Sequence, residues 1–207
     1  LDGGKRNTND NVINREDYNG WIKKIMGVLE LFHSDYNSVY VFGNAESLIG
    51  IYDVNKLHIS NMLVWVKNRL VLGRQDYNGK HENIIYGWFN HHKWYGSNSS
   101  VTVFEDEILS DKIKTTVIKC DTPIKSGLHP TMKPILLIAE LITNSSQLNE
   151  IVLDLFLGSG STMVAAHQLN RKCYGMELEE KYCQVIVDRM RKLDPSIEIK
   201  RNGEHYD

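Results

Sequence analysis

A chain of 207 residues, 42% hydrophobic and 24% charged, is long enough to bury a substantial core and too balanced for a low-complexity or disordered segment. Its net charge of −2 excludes a general polycationic coat for nucleic acid, although a local basic strip could still grip phosphates. No apolar run approaches the roughly 18 residues that span a bilayer, so no membrane partner is expected, and three cysteines without a C-x-x-C pair predict a reducing, cytoplasmic setting.

In chain order, residues 16–32 carry Trp21, Ile22, Ile25, Met26, Leu29 and Phe32 at helical spacing. SVYVF at residues 38–42 predicts a strand of β-branched and aromatic residues, stopped by Gly43 and Asn44. Residues 45–57 are expected to be helical. Two strands follow, at residues 59–66 and 83–88, joined by a long polar loop centred on residues 68–81. Residues 89–127 are polar and weakly patterned. The run ILLIAELI at residues 135–142 predicts a second long helix after two prolines, and residues 180–193 predict the last one, with Arg189, Arg191 and Lys192 suited to the negative end of its dipole. His81, His91 and His92 have no Cys or acidic partners at metal-ligand spacing, so no metal site is predicted.

The densest chemical signal lies between Ile151 and Glu177. A short apolar strand ends at Asp154, and Gly158, Ser159 and Gly160 form a turn where backbone can approach a ligand without an intervening Cβ. Ser161 and Thr162 are placed to cap the helix that follows. A second short strand, residues 173–176, ends at Glu177, and an acid about 20 residues beyond such a turn is placed to bond a ribose hydroxyl. Asp154, Phe156, Gly158, Ser159, Gly160, Ser161 and Glu177 are therefore the candidate lining of a site for a nucleoside-bearing cofactor. Met163 occupies the third small position of the dinucleotide fingerprint, and no Gly-Lys-Ser/Thr follows the turn as a phosphate loop requires. A nicotinamide-dependent dehydrogenase remains the alternative class.

HPTMKP at residues 129–134, DLFLGSGST at residues 154–162 and the Met176–Glu177 pair, in that order, resemble the beta group of DNA amino-methyltransferases. LVWVKNRLVLGRQDYNGKHENIIYGW, residues 63–88, also looks like a segment of this group, and the resemblance extends from about Val39 to Leu193. It implies an α/β fold: a Rossmann-like, mostly parallel sheet with an antiparallel pair at its edge and helices on both faces. It implies S-adenosylmethionine as cofactor, with His129, Thr131 and Lys133 beside the glycine turn at the methionine end. The implied reaction is methyl transfer to the exocyclic amine of a flipped base in double-stranded DNA. Adenine N6 is expected; cytosine N4, or a non-catalytic cofactor-binding subunit, is the alternative. Residues 89–127 fall where the group keeps its target-recognition region. Arg74, Tyr77, Lys80 and Lys93 are expected to face DNA, Tyr77 near the flipped base, and a homodimer is one assembly open to such a chain.

Three departures stand out. Leu155 replaces the usual proline, and Leu157 a small residue. The group's catalytic motif, an Asp, Asn or Ser followed by Pro-Pro-aromatic, is missing, since no Pro-Pro pair occurs in the chain. The expectation is one methyltransferase domain, residues 1–207, incomplete at its N-terminus, with the catalytic motif preceding Leu1 and the catalytic residues unassigned.

Overall fold

The computed structural model describes residues 15–32, 34–43, 48–52, 54, 56–71, 79–96, 117–121 and 132–206. Helix α1, Arg15–Phe32, follows the predicted apolar spacing and buries Ile22 and Met26 against Leu48, Ile51, Ile85 and Phe89. Strand β1, Val39–Gly43, is the predicted strand moved on by one residue. Strands β2, Leu57–Val71, and β3, Gly79–Phe89, form a long antiparallel pair, and β4, Val117–Lys119, runs parallel to β2. The order across this sheet is β1-β3-β2-β4, with β1 antiparallel to β3. The antiparallel pair thus lies inside this sheet, with the three-residue β4 outside it.

Two expectations are corrected here. Of the helix expected over residues 45–57, the described residues show Leu48 as helical, followed by a 3-10 turn, Ile49–Ile51, while Leu57 already opens β2 opposite Phe89, so the helix does not reach 57. Burial of Leu48, Ile51 and Leu57 in one cluster draws this stretch into the core as a turn and a strand. The polar loop is also shorter than expected. Ladder pairing carries β2 and β3 outward, with Trp65 opposite Glu82, Val66 opposite His81 and Val71 opposite Gly79. Lys80 and His81 therefore lie on a strand. Residues 72–78, with Arg74 and Tyr77, lie outside the described residues, as do 97–116 and 122–131, which include most of the 89–127 insert and both His129 and Thr131.

Helix α2, Ile135–Ser145, joins the two halves. Its Leu137 and Leu141 pack on Trp65 and Ile84 of the four-stranded sheet. Its Ile138 and Ile142 pack on Ala165 and Ala166 of helix α3, Ser161–Gln168. Those two alanines, fully buried, allow the close approach that Met163 does not provide. Strands β5, Ile151–Asp154, and β6, Lys172–Gly175, are a parallel pair connected through α3. Helix α4, Glu180–Leu193, packs Ile186 and Met190 against Leu157 and Val164.

Candidate functional site

The site is built where β5 and β6 end. Beyond β5 the chain turns through Gly158 and Gly160, both at positive φ, and enters α3. Gly160, at φ +79°, is the helix N-cap, and a Cβ there would lie 2.8 Å from Cγ1 of Ile186, so both conformation and space demand glycine. Ser161 does not cap the helix. Its hydroxyl donates instead to the carbonyl of Lys133 at 2.9 Å, fastening the turn to the segment that leads into α2. Thr162 donates to Oδ2 of Asp154 at 2.6 Å, and the Phe156 amide donates to Oδ1 at 2.9 Å. The Arg189 guanidinium, partly buried on α4, donates to the carbonyl of Ser159, and burial lowers its pKa.

Glu177 closes this turn. Its Oε2 accepts the Gly158 amide at 2.7 Å, and its Oε1 accepts the Glu179 amide at 2.8 Å. A carboxylate has about four acceptor positions, so it can hold two backbone amides and still accept from a ligand hydroxyl. Leu157 also has its explanation. It is buried against Val164, Ile186 and Met190, and its Cδ1 lies 2.1 Å from where a Cβ on Gly175 would sit. The large side chain at the turn is accommodated by the absence of one on β6.

Lys133 packs beside the turn, as expected, and makes a contact that the sequence did not suggest. Its ammonium donates to Oε1 of Glu82 at 2.8 Å, and Lys67 holds Oε2 at 3.0 Å. Burial alone would raise the Glu82 carboxyl, but hydrogen bonds and charge from Lys133 and Lys67 outweigh it and hold the group below the usual carboxylate range. The Lys133 ammonium also lies 5.4 Å from the centre of the Phe42 ring. Glu82, Arg189 and Trp21 were missed as site residues. Trp21, on α1, sets its ring 5.6 Å from the ring of Phe156, which is itself exposed at the turn. No local pattern marks any of the three, because Trp21 and Arg189 reach the turn from other elements and Glu82 meets Lys133 across the sheet.

Trp21, Phe156 and Lys133 open onto a cavity of about 1260 Å³. Asp154, Phe156, Gly158, Ser159, Ser161, Glu177 and Lys133 line one end of it, and Gly160 lies buried behind them. Of the residues expected to face DNA, Lys80 is exposed near the start of β3, at the same end of the sheet as Glu82. Lys93 lies beyond the other end of β3, with its ammonium 4.4 Å from the ring centre of Tyr36. Most of β3 separates the two lysines. Trp65 is core, and its indole donates to the Cys120 carbonyl at 2.8 Å. Trp88 stacks on His92 with ring centres 3.7 Å apart, away from the turn.

Comparison with known proteins agrees with this geometry. Over 67 residues the chain is 39% identical to the type II methyltransferase M2.LlaDCHI of Lactococcus lactis subsp. cremoris, covering 32% of this chain and 25% of the relative. Over 68 residues it is 41% identical to the type II methyltransferase M.HinfI of Haemophilus influenzae, covering 33% of this chain and 19% of the relative. The aligned stretch thus spans a quarter or less of these relatives. In fold, the chain is similar to M1.HpyAVI, solved as a complex with SAM, at TM-score 0.65 and 22% identity over 84% of each chain. It is also similar to the cytosine-N4-specific PvuII DNA methyltransferase, at TM-score 0.70 and 15% identity over 95% of this chain and 78% of that one. At such identities these likenesses show a shared Rossmann-like methyltransferase fold. Residues 3–188 match the N6/N4 methyltransferase family model, described as DNA methylase, and the chain belongs to that family.

Proposed function

We propose that this chain binds S-adenosylmethionine at the glycine turn and serves as the cofactor-binding and DNA-facing part of a DNA methyltransferase that modifies adenine at N6. The observation that carries the reading is the Glu177 carboxylate locked onto the Gly158 amide at the ends of two parallel strands, where α/β sheets bind nucleosides. The residues fit such a cofactor. Glu177 keeps acceptor capacity for a ribose diol, the turn exposes backbone, and Phe156 and Trp21 offer ring faces for a purine. When bound, the cofactor supplies an electrophilic methyl group. The chain's own residues orient it and shield it.

A base inside a duplex must be flipped out to be reached. The segment at residues 72–78 with its flanking Lys80 is the part proposed to face the duplex, with Arg74 and Lys80 on phosphates and Tyr77 near the extruded base. Lys93, beyond the other end of β3, is proposed as a further phosphate contact. Residues 89–127 are proposed to read the target sequence. The side chain that accepts the amine hydrogens is not assigned, since the 207 residues contain no Pro-Pro-aromatic motif. Adenine is favoured over cytosine N4 by the resemblance of residues 63–88 to adenine-modifying members.

Calorimetry with S-adenosylmethionine and with NAD tests the cofactor. Binding of the first only is expected, and Glu177→Ala should weaken it by about 1.5–3 kcal/mol, the range for a hydrogen bond to a charged group. Unchanged affinity in that variant would remove the ribose assignment. Arg74→Ala should lower the salt dependence of DNA binding by about one counterion, without regard to sequence. Nucleoside analysis of DNA methylated by the active enzyme distinguishes the two bases.

A further inference from the structure

Beyond α4 the chain makes a small hairpin. Strands β7, Lys200–Arg201, and β8, Glu204–His205, pair antiparallel, with Lys200 opposite His205 and Arg201 opposite Glu204. Asn202 and Gly203 form the two-residue turn, at φ 54° and 87°. Positive φ at both centres is what a type I′ hairpin turn requires. Residues 200–205 are exposed, and a Cβ on Gly203 would meet nothing within 4 Å.

The same pair is chemically reactive. The amide nitrogen that follows an asparagine can attack the side-chain carbonyl carbon and close a five-membered imide. A side chain on the following residue hinders that approach, and a hydrogen bond from the nitrogen restrains it. Four described asparagines have left-handed backbone: Asn90, Asn149, Asn170 and Asn202. After the first three, the next residue carries a side chain and its amide is bonded. His91 donates to the Asp35 carbonyl at 3.2 Å, Glu150 to that of Gln147 at 3.2 Å, and Arg171 to that of Ala166 at 2.8 Å. Gly203 has no Cβ, and its amide has no backbone acceptor among the described residues. The other Asn-Gly pair within the described residues, Asn19–Gly20, lies inside α1, where helix geometry commits the Gly20 amide to the Glu16 carbonyl. The Asn19 side chain also packs on the 3-10 turn, its Oδ1 2.7 Å from where a Cβ on Gly50 would sit. Asn78, before Gly79, lies outside the described residues.

We propose that Asn202 is a self-modification site, at which the chain converts its own side-chain amide to an acid. The Gly203 nitrogen bonds to Cγ of Asn202, the Cγ–Nδ2 bond breaks, and ammonia leaves with the proton that the Gly203 nitrogen gives up. Water then opens the imide. Attack at the main-chain carbonyl leaves isoaspartate, with the backbone routed through the side chain, and attack at the side-chain carbonyl leaves aspartate. The reaction starts from the opened hairpin, and a ladder of two exposed pairs opens readily. Its consequence reaches α4. The Tyr206 hydroxyl donates to Oε1 of Gln184 at 2.9 Å, its carbonyl accepts from Arg191, and its ring lies 5.3 Å from the guanidinium of Arg191 and 5.8 Å from that of Arg201. Isoaspartate adds a backbone methylene to a two-residue turn, so Arg201 no longer meets Glu204 in register and withdraws from the Tyr206 ring. The modification therefore loosens the hairpin's hold on α4 as molecules age. The inference rests on the hairpin alone and is independent of the cofactor reading.

The test incubates the full chain at mildly alkaline pH and maps its peptides by mass spectrometry, with synthetic aspartyl and isoaspartyl peptides as standards. Asn202 should convert at least about tenfold faster than Asn19, because α1 must open before Gly20 can attack. Isoaspartate should exceed aspartate. Asn202→Gln, which closes a larger ring more slowly, should stay unmodified over the same period. Hydrogen exchange at residues 200–206 should quicken in the aged chain, whereas Asn202→Asp, with the new charge but no added methylene, should exchange like the fresh parent. Conversion at Asn19 as fast as at Asn202 would overturn the proposal. So would an intact Asn202 after a free peptide of residues 199–206 has fully reacted. Equal exchange in aged and fresh chains would overturn the loosening of the hairpin.

Discussion

Two polar networks meet at the ends of the central strands, and they are built differently. Around the glycine turn, Asp154, Thr162 and Glu177 bind groups within 2 to 19 residues of themselves, through short strands and a single helix turn. At the other network, Glu82 on β3 holds Lys67 from β2 and Lys133 from the segment before α2, 51 positions away along the chain. The first network fixes backbone, and its donors are mostly amides that must be satisfied wherever the turn is formed. The second fixes the relation between two sheets, and it exists only when β2, β3 and α2 have already assembled. The turn is therefore a local device that shapes a ligand site, whereas the Glu82 clamp is a global one that sets the site's wall against it.

The sharpest way to break the first network is Gly160→Ala. Left-handed backbone costs an alanine about 1–2 kcal/mol, and crowding against Ile186 adds about 1–3 kcal/mol. A loss of about 2–5 kcal/mol in urea unfolding is expected, together with weakened cofactor binding. Gly175→Ala should cost about 1–3 kcal/mol by the clash with Leu157, and adding Leu157→Ala should return part of it in a double-mutant cycle. Simple additivity there would contradict the packing described.

Glu82→Gln tests the second network. It leaves two partly shielded ammonium groups without their carboxylate and should destabilise the fold by about 1–3 kcal/mol. The sign of its pH dependence is fixed. A carboxyl whose folded pKa is depressed contributes stability above its unfolded pKa, and that contribution is lost as pH falls through the folded value. The parent chain should lose this increment on acidification below the ordinary carboxylate range, and the variant should lack it. Identical acid unfolding profiles would show that the clamp contributes nothing.

A smaller effect is expected from Thr162→Val, which removes one hydrogen bond to Asp154 for about 1 kcal/mol. The smallest is a rate. Cys173 is pushed up to about 11 by burial, with the Asp154 carboxylate adding to it, while Cys183 is exposed. A thiol reagent at pH 8 should label Cys183 well before Cys173. Equal rates would mean that the strand bearing Cys173 opens readily, and that the local network is looser than its geometry indicates.

The sequence by itself determined what depends on near neighbours. The strand–turn–helix–strand–acid order from Ile151 to Glu177 was readable because glycine at positive φ, short apolar runs and a terminal acid are local requirements. Helix α1 was readable from apolar spacing, α2 from its apolar run after two prolines, and α4 from the basic residues at its C-terminal end. Tertiary structure decided the rest. Ser161 turned from an expected cap into a fastener because the Lys133 carbonyl lies within reach of its hydroxyl. The helix expected over residues 45–57 stops short of its expected end because Leu57 pairs opposite Phe89. Lys80 and Lys93, near in sequence pattern, were carried to opposite ends of one strand. Glu82 met Lys67 only through register, since pairing Trp65 with Glu82 sets Lys67 diagonally across from it. Hydrogen-bond register and the packing of α2 across two sheets are long-range choices, made by burial and ladder pairing of residues far apart, and no window of sequence contains both partners.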